Sequence, residues 1–235
     1  MTITSPVSGG RQSGQALMLS PQKACTAPLQ QVASGCAATL MRVLLLSLMV
    51  LCLAGCAKVL DPGPAPAHIL LRPAMPERVA STALKMQLAV ALPETDHSHD
   101  TDRILLVQGR EVRTWAGVRW VGNAPALVQR MLLDGFQADG RLHAAAETSG
   151  IFPDYRLTCD MQAFELRREG TTLTADMRVM LRLFDARKNR IVDSVTFEAH
   201  IPAASDTLDG GVSALDRAAS QILGETVRWT LQNIR

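Results

Sequence analysis

The sequence predicts an α/β fold, a single domain in which a mixed β-sheet is packed with helices. Apolar residues alternate with polar ones over three successive stretches, Tyr155 to Leu166, Thr172 to Phe184 and Ile191 to Ile201. Period-two alternation marks a strand with one buried face. Two other stretches space their apolar residues three and four apart, as a helix with one apolar stripe does. The order is strands, helix, strands, helix, which gives meander-like pairing in a sheet that helices cover.

His68-Ile69-Leu70-Leu71 reads as a short first strand. Leu84, Met86, Leu88, Val90 and Leu92 alternate with Lys85, Gln87, Ala89 and Ala91, so a second strand with one buried face is expected there. A polar loop, Pro93 to Asp102, leads into a hairpin with arms Arg103 to Val107 and Glu111 to Trp120, joined around Gln108-Gly109-Arg110. Asn123-Ala124-Pro125 opens a helix, with Asn as the cap and Pro in the first turn, where its missing N–H costs nothing. Leu127, Val128, Met131, Leu132, Gly135 and Phe136 form its apolar stripe, and Asp139-Gly140 ends it.

In the first long strand the buried parity switches between Met161 and Phe164, which implies a bulge. The second buries Leu173, Ala175, Met177, Val179, Leu181 and Leu183 on one face, and Asp185 to Arg190 is a polar turn to the third. Ser213-Ala214-Leu215-Asp216 has capping-box spacing and is expected to start the last helix. Its stripe is Leu215, Ala219, Ile222, Leu223, Thr226 and Trp229. The polar face is not rich in Lys or Arg, so docking onto the sheet is expected rather than lying on a membrane.

Ahead of the domain, Val43 to Ala54 is a run of about a dozen apolar or small residues. It is too short for a bilayer span, which needs roughly 20 residues, and suits the apolar region of a secretory signal. Leu53-Ala54-Gly55-Cys56 closes it in a pattern that resembles the bacterial lipobox. Small Ala54 and Gly55 admit the backbone to a peptidase groove, and the Cys56 thiol is the acylation nucleophile. The alternative is an apolar leader that merely ends in Cys. Residues 1–40 show no sustained periodicity, and Met41-Arg42 begins a complete signal without them. The expected organisation is therefore an extension or mis-assigned start over 1–40 and a signal peptide over 41–55. A lipidated N-terminus with a Pro-rich linker follows over 56–67, and the domain spans 68–235. Pro62, Pro64 and Pro66 hold the linker extended as polyproline II, a spacer between lipid and domain.

Processing before Cys56 changes the charge balance. The full sequence carries 24 basic and 22 acidic side chains. The leader holds Arg11, Lys23 and Arg42 and no acid, so the processed chain has one more acidic than basic residue. No positive excess remains to attract a phosphate backbone, and nucleic-acid binding is not expected. Cys25, Cys36 and Cys52 leave with the signal and Cys56 is acylated. Cys159 is then left without a disulfide partner, and its alternating context points it into the core. No nearby His or basic group favours a nucleophilic thiolate.

The sequence contains no Gly-rich loop ending in Gly-Lys-Ser/Thr, no Gly-x-Ser-x-Gly elbow and no His-Glu-x-x-His helix. Asp96-His97-Ser98-His99-Asp100 offers two imidazoles and two carboxylates, a donor set that zinc accepts. All lie within five consecutive residues of a loop with no remote ligand indicated, so solvated loop charges are the expectation, with no metal, no cofactor and no catalytic residue. Arg119-Trp120 leaves two roles open. One is a Trp anchor beside a solvated Arg; the other is a partner-contact edge, since these residue types are enriched in binding hot spots.

Assembled, the segments resemble the auxiliary lipoproteins of ABC-type transport systems, the family that includes paraquat-inducible protein C. The resemblance spans nearly the whole processed chain. It is carried by Thr101-Asp102-Arg103-Ile104, Val118-Arg119-Trp120 and Pro125-Ala126-Leu127-Val128-Gln129-Arg130. Asp154-Tyr155-Arg156-Leu157, Phe164-Glu165 and a Trp-bearing C-terminal helix continue it. The sequence departs from the family at His68-Ile69-Leu70, where an aromatic is usual, and the loop with His97 and His99 looks like an insertion.

The resemblance implies a mixed α/β sandwich like that of anticodon-binding domains. It implies an outer-membrane lipoprotein facing the periplasm, with palmitate among the lipid chains on Cys56; Ala57 rather than Asp after that Cys is consistent with export from the inner membrane. It implies a non-enzymatic partner of a permease, an ATPase and an MCE-domain protein that moves lipids or other hydrophobic solutes, and it leaves room for a homo-oligomer. The competing function is a periplasmic lipid-binding shuttle that holds an acyl chain between sheet and helix. A hydrolase using dispersed residues such as His143 or His200 has no supporting spacing.

Overall fold

The computed structural model describes residues 39–49, 65–78 and 84–234. Cys56 and the other leader cysteines lie outside these, as does most of the expected linker. The chain divides into a unit of Met1–Pro62 and a unit of Gly63–Arg235. In the first, residues 39–49 form helix α1, exposed along its length, with Leu40, Leu44 and Leu46 all open to solvent. Among the described residues no helix is long and apolar enough to cross a membrane.

In the second unit, the expected meander is the frame. Strands β8 (Tyr155–Glu169), β9 (Thr172–Asp185) and β10 (Arg190–Pro202) pair antiparallel in sequence order. The register slips between Met161 and Ala163, the bulge that the parity switch implied. Beyond β8 the sheet turns parallel. Strand β2 (Gln87–Val90) lies between β8 and β7 (His143–Ala146) and runs parallel to both. Two short strands, β3 (Glu94–Thr95) and β4 (Leu105–Gln108), also run parallel to β8, and β5 (Glu111–Thr114) forms the expected hairpin with β4. The sheet is mixed, as the order of elements predicted, and it is not closed into a barrel.

Helices α2 (Ala124–Asp139) and α3 (Leu208–Asn233) cover one face. Beneath them Leu157, Leu166, Ala175, Met177, Leu181 and Leu183 have no measurable exposure. The packing leaves little slack. A Cβ at Gly135 of α2 would sit 2.3 Å from Leu223 Cδ1 of α3, and one at Gly211 would sit 2.6 Å from Leu166 Cδ1.

Four expectations are corrected. First, α3 starts at Leu208, not Ser213, capped by Thr207 Oγ1, which accepts from the Gly210 N–H at 3.2 Å. Glycine stands at helical positions 210 and 211 because larger residues would strike Ser205 and Leu166. Second, the hairpin arm Glu111 to Trp120 is two strands. Gly117, at φ 73°, breaks it, and β6 (Val118–Trp120) pairs instead with β1 (Ala67–Ile69) in a separate parallel ribbon. Third, the strand expected over Leu84 to Leu92 is ordered only over Gln87–Val90, and Leu88, Ala89 and Val90 are all buried. A parallel strand flanked on both edges is covered on both faces, so alternation gives way. Fourth, β7 was not expected at all.

Candidate functional site

The polar chemistry of the domain is concentrated where the short strands meet β8, and its hub is the loop read as solvated. Strand β3 sets the loop's start: it pairs Thr95 with Met161, and Thr95 Oγ1 donates to Met161 O at 2.7 Å. The chain then folds around Asp96. Its Oδ1 accepts from the Ser98 N–H at 2.8 Å, Ser98 Oγ at 2.6 Å and the His99 N–H at 3.1 Å, an Asx-type turn. The Ser98 hydroxyl and then His99 hold the Asp96 carboxyl well below its ordinary range.

His99 is not solvated. Its Nδ1 lies 3.0 Å from Asp96 Oδ1, and its Nε2 lies 3.1 Å from Glu165 Oε2 of β8. The side chains of His99 and Glu165 are 9% and 7% exposed, so a remote carboxylate meets this loop where none was indicated. The Glu165 hydrogen bond outweighs burial and, with Asp96, raises the ring's pKa above the ordinary 6.5. Both ring nitrogens are used on carboxylates, which leaves no lone pair for a metal. His97 is exposed and takes no part.

From Glu165 the charges continue across the sheet face opposite the helices. Glu165 Oε1 accepts from Arg167 Nη2 at 2.6 Å, and Arg167 Nε donates to Asp176 Oδ2 of β9 at 3.3 Å. His200 Nδ1 of β10 stands 3.1 Å from Asp176 Oδ1. It lies off the hydrogen-bond line, so that buried oxygen accepts no hydrogen bond.

The same loop fastens the ribbon of β1 and β6. Asp102 receives Arg119 Nη1 at 2.9 and 3.0 Å, and this guanidinium holds the Asp102 carboxyl below its usual range. Asp102 O accepts the Trp120 N–H at 2.6 Å, and Thr101 O accepts the Ala124 N–H at 3.0 Å. Asn123 does not cap α2 with its side chain; its Nδ2 donates to Asp100 Oδ1 at 3.1 Å. Trp120 is 2% exposed and stacks on Phe164 with ring centroids 5.6 Å apart. It anchors the ribbon to the core, while the Arg119 side chain remains one-third exposed. The segment after β1 runs along α3. The Arg72 N–H donates to Asp216 Oδ1 at 2.7 Å and the Ala74 N–H to Ser220 Oγ at 2.8 Å. Burial raises the Asp216 carboxyl above its ordinary range.

Cys159 faces the core as its context implied, and burial pushes its thiol up to about 12. A thiol held neutral at physiological pH is no nucleophile. On the open sheet face a shallow groove of about 390 Å³ is lined by Leu92, Glu94, Glu147, Arg156, Arg182 and Phe184. Its two arginines and two glutamates balance. Arg156 is occupied by Glu147 at 3.3 Å and by the Phe184 ring, 4.9 Å from its centroid.

Fold and site define a class: a closed apolar platform with a polar flank strapped to it, the chain entering through the flank. The family follows from comparison. The model of the ABC-type transport auxiliary lipoprotein component matches residues 70–226, and the chain belongs to that family. A crystal structure of a Xanthomonas campestris protein of the family DUF330 is 25% identical. It superposes with a TM-score of 0.64 over 70% of this chain and 95% of that one. A second crystal structure, of an uncharacterized protein, shares the fold at 12% identity, with a TM-score of 0.57 over 71% of this chain and 99% of that one. No functionally curated protein matches the sequence.

Proposed function

We propose that this protein is a periplasmic adaptor of an MCE-type ABC transport system, acylated on Cys56 and held to the outer membrane by that lipid. The family match over residues 70–226 carries the reading. In it the domain performs no catalysis; a permease and an ATPase supply the energy, and the edge carrying Arg119 docks the MCE-domain protein, alone or as a homo-oligomer. The architecture supports this. Strand β1 pairs His68 with Arg119 of β6, so the proposed docking edge lies in the ribbon that contains the first strand of the domain. The helix–sheet interface is filled rather than hollow, which favours the adaptor over a shuttle that stores an acyl chain there.

A photo-crosslinking residue at position 119 in cells is expected to capture an MCE-domain protein. Capture of no such protein at Arg119 or at exposed Leu70 would overturn the docking assignment. Cys56→Ser is expected to leave a folded domain that no longer fractionates with membranes, since each buried methylene of the lipid contributes about 0.8 kcal/mol. Continued membrane association of that variant would remove the anchor from the reading.

A further inference from the structure

His99 lies between two carboxylates, Glu165 buried on β8 and Asp96 on the exposed loop, and geometry fixes what that requires. An ionised carboxylate only accepts, so an imidazole 3.0 Å from one and 3.1 Å from another must donate from both nitrogens. Only the imidazolium does so. A neutral ring would aim one lone pair at a carboxylate oxygen, and on the Glu165 side it would do so with both side chains buried. The surrounding charges fit that form. From its own loop His99 faces Asp96, with Ser98 Oγ 3.2 Å from Nδ1. From β8 it faces Glu165, whose other oxygen is held by Arg167. Behind Arg167 stands Asp176 of β9, and beyond it His200 of β10.

We propose that residues 96–102 form a proton-operated clasp, pinned to β8 by the His99 imidazolium and released when the ring loses its proton. What the clasp holds is set by the next three residues. Asp100 binds Asn123 ahead of α2, Thr101 O holds the Ala124 N–H, and Asp102 holds both Arg119 and the Trp120 backbone. Releasing His99 therefore frees the β6 edge and the entry to α2, while β8, β9 and β10 keep their own ladders. The clasp stands independently of the docking assignment. Only its consequence, regulation of partner contact at Arg119, rests on the function proposed above.

The direction follows from linkage. His99 is raised in the closed state, so the clasp is fully closed below the ordinary imidazole value of 6.5 and weakens as pH rises through the raised value. Opening should increase about tenfold per pH unit between the open loop's ordinary value and the closed one, then level off.

The test uses the protein purified from membranes in detergent. Ring signals of all five histidines are titrated by NMR, with His99 assigned through His99→Gln. Amide exchange, corrected for intrinsic rate, is followed for residues 96–102, 118–124 and 155–202. The expected result is a His99 midpoint above 6.5, with protection of 96–102 and 118–124 constant below 6.5, falling between 6.5 and that midpoint and levelling off above it, and 155–202 unchanged. Glu165→Gln should lower the midpoint and shrink the pH-dependent window, which keeps the test decisive even if His99→Gln does not fold. A His99 midpoint at or below the ordinary value would overturn the clasp. So would loop protection independent of pH, or an equal loss of protection in the long strands. If the clasp readouts hold while crosslinking from position 119 captures no partner at any pH, the docking assignment fails and the clasp remains.

Discussion

The long strands with their two helices and the flank of short strands are held by different physics. In the first region the contacts are apolar and redundant. Leu181 and Leu183 on β9, Leu157 on β8 and Leu223 on α3 are all fully buried, so each touches many neighbours. In the second, β1 and β6 share a three-residue register and β3 contributes only two residues. Apart from the Trp120 anchor on Phe164, their attachment runs through Asp102–Arg119, Asp96–His99–Glu165 and a few backbone bonds. Apolar packing responds little to pH, whereas the flank hangs on groups that titrate. The platform is held by packing and the flank largely by charge, a division that suits the proposed adaptor, which would stay folded while its edge docks and releases.

The largest expected effect tests the platform. Leu181→Ala removes a fully buried side chain from the middle of β9 and is expected to cost about 2–5 kcal/mol of stability in urea denaturation. A loss under about 1 kcal/mol would mean that the sheet–helix interface collapses around the cavity and is looser than its packing indicates. Gly135→Ala probes the same interface by addition. The new Cβ would lie 2.3 Å from Leu223 Cδ1 and 2.9 Å from its Cγ, and Leu223 is fully buried. Overpacking at about 1–3 kcal/mol should outweigh the helix-propensity gain of about 1 kcal/mol. A stabilised variant would show that the two helices slide apart easily, and the contrast with the flank would narrow.

The same contrast decides what was legible in the sequence. The long strands, the bulge near Ala163 and both helical stripes could be read because each is written in local periodicity against one buried face. The start of α3 differs from the reading because Ser213 to Asp216 has capping-box spacing inside the helix, while the cap in the structure is Thr207. Strand β7, His-Ala-Ala-Ala, carries no alternation and little strand propensity, and it is a strand only because β2 offers it a parallel edge. His99 was the largest miss. Its local sequence reads as solvated loop, and the carboxylate that buries it, Glu165, lies 66 residues away. Trp120 and Cys159 went inward as their strand contexts allowed. Charge pairs between distant segments leave no periodic trace, so a polar flank is harder to read than an apolar core.

The smallest expected effect on stability is the most informative about function. Arg119→Ala removes one side of an ion pair with Asp102 in which both side chains are about one-third exposed. Solvent screens such a pair, so its loss should cost about 0.2–1 kcal/mol, far less than Leu181→Ala. Trp120 stays buried on Phe164 and continues to hold β6, so melting temperature should barely change and exchange in β8 to β10 should not change at all. Docking should respond differently, because an exposed Arg at the centre of a contact contributes beyond its share of area. With a crosslinker placed at Leu70 instead, Arg119→Ala is expected to reduce capture of the proposed MCE-domain partner several-fold in a protein of near wild-type stability. If stability and capture fell together, Arg119 would be a strut like Trp120. If capture were unchanged, the docking edge would lie elsewhere on the flank. A loss of capture without a loss of stability is the outcome that separates a docking surface from a structural one.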